Sequence, residues 1–265
     1  MTFEELQKIT DDALLVQKTY EIFNEDSRLS HSKAARVEFL TNSYYIEQAL
    51  QPGANILDLG AGAGEYSLHF ARKGYSVTAL ELADENIKAF RAKLQPEDSV
   101  ELVQGNALDL SQWADNTFDA VLIFGPLYHL RSVEDQKQVI REAVRVCKPG
   151  GTLFFAFISN DMVMLTELMY DKDYLKGDTY DHETFKVVDF PFVFHTVEAA
   201  RAVLASCGVK IVKAVASDGL SELMAERINQ LDEESYAQYL RYHFYACEKP
   251  ELLGHSNHLL FIAKK

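Results

Sequence analysis

The feature that most constrains this chain is a glycine-rich segment that links an apolar run to an amphipathic one. Residues 55–59 are mostly apolar, Gly60, Gly62 and Gly64 follow at every second position, and residues 65–71 are amphipathic. Glycine lets the main chain turn sharply and lets a ligand approach where a Cβ would collide. A helix N-terminus adds unpaired N–H groups at the same place. The segment therefore predicts a strand, a tight turn and a helix start that together hold a nucleotide-like ligand.

Strand and helix patterns alternate through the first 158 residues. The predicted strands span 55–59, 75–80, 100–103, 118–124 and 152–158, with helices at 63–73, 84–94 and 133–147. This alternation predicts a parallel sheet with helices on both faces and ligands outside the carboxyl ends of its strands. The notable polar residues fall at those ends: Asp58, Glu81, Asn106, Tyr128 and His129.

The flanking segments differ from this pattern. Residues 3–50 read as helical with a polar break at 24–27, and they either pack on the sheet or act as a lid. After residue 158 we expect an irregular insertion at 162–192, helices at 199–207, 220–231 and 236–247, and strands at 209–215 and 259–263. No repeat or linker divides the chain. We therefore predict one domain over 1–265, with its core at about 54–158, 196–217 and 257–264. Helical or lid elaborations would occupy 1–50, 159–195 and 218–255.

Composition narrows the class of partner. The formal net charge of −14, without any basic run, argues against a surface that binds nucleic-acid phosphates. We find no secretory leader and no apolar stretch long enough to span a bilayer, so the expected location is cytoplasmic and no membrane partner is expected. Cys147, Cys207 and Cys247 are far apart and predict reduced thiols rather than a disulfide or metal site. The pattern leaves the oligomeric state open.

The glycine turn discriminates between nucleotide ligands. A dinucleotide-binding turn has G-x-G-x-x-G, whereas this chain has G-x-G-x-G with Glu65 where the other pattern needs its third glycine. A carboxylate there would face a pyrophosphate unfavourably. The Walker pattern is missing as well, because no Gly-Lys-Ser/Thr follows. The expected ligand has an adenosine-like part without a phosphate chain.

With these features the sequence resembles the class I S-adenosylmethionine-dependent methyltransferases. The resemblance covers about 55–158 and rests on the segments I-L-D-L-G-A-G-A-G at 56–64, Glu81, G-N-A at 105–107, F-D-A-V at 118–121 and K-P-G-G at 148–151. It implies a Rossmann-like, doubly wound, mostly parallel α/β sheet, usually of seven strands with the last antiparallel. The G-P-L-Y-H-L run at 125–130 and the ending at 252–260 look like a bacterial subgroup whose substrates they do not identify.

The resemblance also implies contacts to the methionine and ribose parts of the cofactor. Main chain at Gly60, Ala61 and Gly62 would approach both parts. Asp58 would support this turn and help hold the methionine amino group, unless its role is purely structural. Glu81 would accept both ribose hydroxyls, which suits two acceptor oxygens. Its alternative role is to cap the following turn.

Further residues would hold the adenine and the sulfonium. Leu82 and Ala107 would flank the adenine, with the Ala107 N–H reaching a ring nitrogen. Asn106 departs from the aspartate usual in the family; its carbonyl would accept from the exocyclic amine, or it serves only as a turn residue. Phe124 and Gly125 would lie beside the sulfonium, where an aromatic face favours a cation, although Phe124 also fits a core position.

Methyl transfer from a sulfonium is an in-line displacement, so positioning and the exclusion of water supply much of the catalysis. Tyr128 and His129 are the candidate catalytic residues: Tyr128 as a wall of the acceptor pocket, and His129 as a base or as a structural histidine that holds the loop. His182 and His195 are weaker candidates, and no cluster predicts a metal.

The sequence therefore predicts a methyltransferase that transfers a methyl group from S-adenosylmethionine to oxygen or nitrogen of a small molecule, leaving S-adenosylhomocysteine. Two alternatives stay open: a protein or tRNA methyltransferase, and a cofactor-binding regulatory subunit without catalysis. The turn indicates the donor and does not identify the acceptor.

Overall fold

The strands of the protein form one sheet in a computed structural model that describes residues 2–23 and 25–265. Residue 24, part of the expected polar break, lies outside this description. In the described part of the chain the strands are β1 (Asn55–Leu59), β2 (Ser76–Glu81), β3 (Val100–Gln104), β4 (Phe118–Ile123), β5 (Cys147–Ser159), β6 (Phe194–His195), β7 (Ile211–Ala216) and β8 (His258–Lys264).

The sheet has the order β3-β2-β1-β4-β5-β8-β7, and the two-residue strand β6 pairs with β5. Strands β1 to β5 pair in parallel, whereas β8 is antiparallel to both β5 and β7. The predicted Rossmann-like sheet with an antiparallel last strand is confirmed. Because β8 runs against its neighbours, its first residue, His258, pairs with Ile158 and lies at the edge where the parallel strands end.

Helices cover the sheet and form the flanking segments. They are α1 (Phe3–Leu6), α2 (Asp12–Tyr20), α3 (Lys33–Ala49), α4 (Glu65–Arg72), α5 (Asp84–Lys93), α6 (Val133–Val146), α7 (Asn160–Tyr170), α8 (Val197–Ser206), α9 (Ala225–Ile228) and α10 (Glu233–Ala246). Side-chain caps fix the starts of the N-terminal arm, which we define as residues 2–50: Asp11 accepts from the Leu14 N–H and Ser32 from the Ala35 N–H. Among the described residues, no helix is both long enough and apolar enough to cross a bilayer.

Most element boundaries differ from the sequence prediction by a few residues, and three elements differ by more. β5 begins at Cys147 rather than at residue 152, because Cys147 pairs with Phe118 of β4 and Lys265 exchanges main-chain hydrogen bonds with Gly150 and Gly151. The helix expected at 220–231 is the single turn α9, preceded by a turn in which the Ser221 hydroxyl bonds the Asp218 carbonyl. The pattern gave no sign of the short strand β6. All three cysteines are free.

The core lies on both faces of the central strands. Large side chains of β5 and β8, Phe154, Phe155, Phe157 and Phe261, are almost fully buried. The apolar runs that predicted these strands are therefore explained by helices on each face. This packing fixes the carboxyl edge of the sheet, where the site is found.

Candidate active site

The glycine turn after β1 has the backbone that its composition predicts. Gly60, Gly62 and Gly64 have φ angles of 75°, 56° and 86°, a region that L side chains rarely adopt. A Cβ on Gly60 would lie 2.9 Å from the Pro126 Cδ, and one on Gly64 would lie 2.5 Å from the Phe90 ring. The turn needs glycine both for its conformation and for its close packing.

A cavity of about 460 Å³ opens at this edge of the sheet, and a smaller one of about 40 Å³ shares part of its lining. The structure brings every predicted site residue except the weaker candidates His182 and His195 to one of the two. Those lining the large cavity are Gly60, Gly62, Glu81, Leu82, Asn106, Ala107, Phe124, Gly125, Tyr128 and His129. Asp58 and Ala61 line the small cavity. These positions fit the predicted roles, which stay predictions.

Glu81 ties the end of β2 to the glycine turn. Its Oε2 accepts from the Gly62 N–H at 2.7 Å, and its Oε1 accepts from the Ala83 N–H at 2.7 Å. Burial raises the pKa of this carboxyl, and the two N–H groups act in the opposite direction. Glu81 therefore caps the turn that follows β2, which was the alternative role predicted from the sequence. Its Oε1 also accepts from the Asn86 Nδ2 at 3.4 Å, whereas its Oε2 keeps a lone pair at which a ribose hydroxyl can still bind.

Asp58 has an unsatisfied oxygen. Its Oδ2 accepts from the Ser67 hydroxyl at 2.7 Å, but its Oδ1 has no hydrogen-bond partner among the described residues, although the residue is only 1% exposed. Burial raises the pKa of Asp58 to about 7, the Ser67 hydrogen bond lowers it and the Glu81 charge raises it further. A buried acceptor of this kind is costly unless a donor reaches it.

Asn106 favours the turn interpretation. Its Oδ1 accepts from the Leu108 N–H at 3.0 Å, and its carbonyl accepts from the Asp109 N–H. These bonds shape the loop after β3 so that the buried Ala107 lines the cavity. A contact from the Asn106 side chain to an adenine amine would have to share an oxygen that is already in use.

Tyr128 and His129 lie where expected, just after β4, but the side chain of each already makes a hydrogen bond. The Tyr128 hydroxyl donates to the Phe124 carbonyl at 2.9 Å. The His129 Nε2 shares a hydrogen bond of 2.9 Å with the Tyr20 hydroxyl on α2. Burial lowers the pKa of His129 to about 4, so its ring is neutral at physiological pH. The geometry favours positioning over proton transfer for both residues.

The arm supplies site residues that the sequence pattern did not reveal. Tyr20 and Glu25 line the large cavity together with the start of α2. The Arg131 side chain clamps this region: its Nε donates to the Asp12 Oδ1 at 2.5 Å, and its Nη2 donates to the Thr10 carbonyl at 2.8 Å. The arm therefore forms one wall of the site, and helical periodicity alone gives no signal for that role.

A second missed group is a chain of charged side chains beside the small cavity, which we call the ion network: Glu25, Arg28, Glu38, Asp218 and His258. Arg28 binds Glu25 at 2.7 Å and Glu38 at 2.7 Å, and His258 Nδ1 lies 2.7 Å from Asp218 and 3.3 Å from Glu38. Although burial lowers the pKa of His258, the charges of Glu38 and Asp218 raise it to about 9. Negative and positive side chains alternate along the network, so each charge has an opposite charge beside it.

Glu38, Asp218 and His258 also bring potential metal-ligand atoms within 4.8 Å of one another. Arg28 already neutralises Glu38 there, so we assign no metal to the cluster. The weaker histidine candidates lie elsewhere: His195 bonds Gln136, His182 bonds the Gly177 carbonyl, and neither lines the two cavities.

A doubly wound sheet with a glycine turn and a carboxylate after β2 is typical of domains that bind an adenosine-containing cofactor. Residues 57–155 match the family model described as "Methyltransferase domain". Demethylmenaquinone methyltransferase of Listeria welshimeri is 41% identical over 111 residues, which are 39% of this chain and 44% of that protein. The chain thus spans less than half the length of this relative.

Two solved structures share the fold over most of the chain. One is a SAM-dependent methyltransferase from Methanosarcina mazei, with 22% identity, a TM-score of 0.54 and coverage of 83% of this chain and 96% of that one. The other is magnesium protoporphyrin IX methyltransferase from Synechocystis with bound S-adenosylhomocysteine, with 14% identity, a TM-score of 0.60 and coverage of 96% and 100%. Residues 57–155 therefore match a methyltransferase domain, for which the sequence predicts S-adenosylmethionine as the cofactor.

The residues present fit this cofactor. Its ammonium group is a cationic donor, and the buried, unpaired Asp58 Oδ1 is an acceptor for it. The positive φ angles of Gly60 and Gly62 bring bare main chain to the cavity wall. Glu81 adds a second carboxylate at the other side of the turn.

Proposed function

We propose that this chain transfers the methyl group of S-adenosylmethionine to an oxygen or nitrogen atom of a small molecule. The observation that carries the proposal is the pair of buried carboxylates on either side of the glycine turn, Asp58 with an unpaired oxygen and Glu81 bonded to the turn itself. A cofactor with an ammonium at one end and ribose hydroxyls at the other matches both. The proposed location is the cytoplasm.

The bound cofactor supplies an electrophilic methyl group on its sulfonium. The chain's own residues would hold the cofactor and exclude water: Asp58 at the amino group, Glu81 at the ribose, and Leu82 and Ala107 at the adenine. Tyr128 lies at both cavities and would position the acceptor. His129 would hold the arm over the site through Tyr20 rather than remove a proton.

The lining of the large cavity favours an acceptor with polar groups. The small cavity lies at Asp58, where the methionine end of the cofactor would bind, so the acceptor would have to approach from the large cavity. Charged side chains line the large cavity as well, among them Asp11, Glu25 and Asp135. Burying an apolar tail against such charges would leave them desolvated without compensation. We therefore expect an acceptor whose reactive end carries polar groups.

A second candidate is a quinol, which the demethylmenaquinone relative favours. A short-chain demethylmenaquinol offered with labelled cofactor tests it directly. Methylation of this quinol at a rate above that of the best polar acceptor would replace our first candidate. Protein or tRNA methylation, and cofactor binding without turnover, remain alternatives that the same label would reveal in a macromolecular fraction or as no transfer at all.

Calorimetry tests the donor assignment. S-adenosylmethionine and S-adenosylhomocysteine should bind the purified chain, and NAD should not. Tight binding of NAD alone would exclude the proposal. A screen of metabolite extracts with methyl-labelled cofactor then identifies the acceptor, with a heat-denatured sample of the protein as control.

A further inference from the structure

We infer that Arg28 binds the methionine carboxylate of the cofactor, and that Glu25 competes with this carboxylate for the same guanidinium. The inference rests on the proposed function and deepens it, because it assigns a cofactor-binding residue outside the matched segment and a carboxylate of the chain that opposes binding. Both residues belong to the loop between α2 and α3.

The first step is where the amino-acid end of the cofactor would lie. Asp58, with its unpaired oxygen, lines the small cavity together with Gly60 and Gly62. An amino acid carries a carboxylate next to its amino group, so a cation is needed close to Asp58. Among the described residues that line this cavity, the positively charged side chains are Arg28 and His258.

The second step distinguishes these two cations. His258 lies at the start of β8, separated from the strand of Asp58 by β4 and β5, and its Nδ1 is held by Asp218 at 2.7 Å. Arg28 belongs to the loop that touches the glycine turn, because a Cβ on Gly62 would lie 3.3 Å from the Glu25 Cγ. The guanidinium of Arg28 is therefore the better placed partner for a carboxylate at the turn.

The third step is the geometry of the guanidinium. Glu38 binds its end, with 2.7 Å to Nη1 and 3.4 Å to Nη2, and is buried on α3. Glu25 binds its side, with 2.7 Å to Nε. Nε and Nη2 form a fork that matches a carboxylate. Glu38 would keep Arg28 oriented while a ligand carboxylate replaces Glu25 on this fork.

The fourth step is charge. Glu25 lines both cavities and lies against Gly62, where main chain and cofactor would meet. Its carboxylate would repel the carboxylate of the methionine. The two groups cannot share one side of the guanidinium, so Glu25 has to leave for the cofactor to bind. Glu25→Gln and Arg28→Gln should then change affinity in opposite directions.

The experiment measures calorimetric affinities for two probes, S-adenosylhomocysteine and its decarboxylated analogue, which keeps the amine. R28Q should weaken S-adenosylhomocysteine by about 10- to 100-fold, the range for a charge-assisted hydrogen bond, and change the analogue by less than about threefold. E25Q should tighten S-adenosylhomocysteine by about threefold or more, since a larger fraction of Arg28 is then free to bind. It should not tighten the analogue.

Arg36→Gln is the matched control. Arg36 is also paired with a carboxylate, Glu65, at 2.8 Å, and its side chain is 35% exposed against 34% for Arg28, but it lines neither cavity. R36Q should bind both probes as the wild-type chain does. Thermal unfolding of each variant shows whether it folds, and Arg28→Lys, which keeps the charge but not the fork, replaces R28Q if that variant unfolds.

Equal weakening of both probes by R28Q would overturn the inference, since Arg28 would then only hold the arm. An E25Q variant that binds S-adenosylhomocysteine no better than wild type would overturn the competition. Failure of the wild-type chain to bind either probe would instead reject the proposed function. The two failures are therefore distinguishable.

Discussion

The two halves of the site are built in different ways. The donor half, formed by the glycine turn, Asp58, Glu81 and Ala107, comes from one continuous stretch that follows strand and helix alternation. The ion network on the other half joins residues of the arm to Asp218 and His258, about 200 positions away in the chain. The donor half has an unpaired oxygen and glycines with left-handed backbone, whereas each charge of the network is paired with another charge of the network.

This contrast indicates a division of tasks. Unpaired buried groups and strained backbone are costly and persist where a ligand compensates for them. A partly buried network whose charges are all paired offers nothing to a small ligand unless a pair opens, but it ties the arm to the last strand. We therefore expect changes at the Asp218 and His258 end of the network to affect folding most, and changes in the donor half to affect cofactor binding most.

The largest expected effect is that of Asp218→Asn. It leaves the imidazolium of His258 with Glu38, at 3.3 Å, as its remaining carboxylate, and breaking a largely buried pair of this kind costs up to about 3–5 kcal/mol of unfolding free energy. Urea unfolding measures it. Because the pKa of His258 is raised to about 9, the contribution of its charge is complete below its unfolded pKa near 6.5 and is lost as pH rises through about 9. The deficit of the variant should therefore shrink above pH 9.

Glu248→Gln is the control for this variant. Glu248 pairs with Lys213 at 2.6 Å, but both side chains are 45% exposed, and pairs of this kind contribute about 0–1 kcal/mol. Equal losses for the buried and exposed pairs would contradict the structural role that we assign to the network.

The next effect concerns the strained turn, and a matched pair of glycines isolates its packing. Gly64 and Gly74 have φ angles of 86° and 90°, but a Cβ on Gly64 would meet the Phe90 ring at 2.5 Å, whereas one on Gly74 meets nothing within 4 Å. Gly74→Ala should cost about 1–2 kcal/mol for the left-handed backbone alone. Gly64→Ala should cost about 1–3 kcal/mol more for overpacking.

Urea unfolding of both alanine variants gives the comparison. Equal losses of unfolding free energy would mean that α5 moves away freely from the added Cβ. Only the backbone conformation of the turn would then require glycine. A larger loss for Gly64→Ala would show that close packing of helix on turn is part of the site.

The same contrast explains how much could be predicted from the sequence. Asp58, Glu81 and Ala107 follow apolar runs of recognisable period, so their meeting at one edge follows from parallel strands. Nothing in the local pattern pairs Glu38 with His258, because their contact depends on how the arm packs against β8. Tyr20 was missed for the same reason, since a helical period does not say which loop a helix covers.

The strand boundary of β5 shows a further limit. Lys148 to Gly151 have the composition of a turn, but the pairing of Cys147 with Phe118 and the main chain of Lys265 make them part of a strand. Turn propensity is a local preference, and ladder hydrogen bonds from a distant segment override it. Asn106 shows the reverse, because its side chain closes a turn as local propensity predicts.

The next prediction concerns Glu81→Ala, which tests whether the donor half binds the cofactor. It should weaken S-adenosylhomocysteine by about 1.5–3 kcal/mol, the range for lost hydrogen bonds to a charged group. Calorimetry measures this loss. Glu85→Ala, on the exposed face of α5, should leave the affinity unchanged. An unchanged affinity for Glu81→Ala would show that the carboxylate serves only to hold the Gly62 and Ala83 N–H groups.

The smallest expected effect is a pH dependence of cofactor binding. Burial raises the pKa of Asp58 to about 7, so the carboxyl is mostly neutral at pH 6 and mostly ionised at pH 8. An ammonium bound at its Oδ1 favours the ionised form. The dissociation constant of S-adenosylhomocysteine should therefore fall by about tenfold, or about 1.4 kcal/mol, between pH 6 and pH 8.

The control for this prediction is Asp58→Asn, which cannot ionise and should bind more weakly with little change over the same range. Since ionising the buried carboxyl opposes folding, the raised pKa also means that the unfolding free energy of the wild-type chain, measured without cofactor, should decrease as pH rises from the ordinary pKa of 3.8 to about 7 and level off above it. Bound cofactor should reverse that trend, because the ammonium then pairs with the charge. A wild-type affinity that does not change between pH 6 and pH 8 would mean that the ammonium binds elsewhere, and the donor half would then have no partner for its unpaired oxygen.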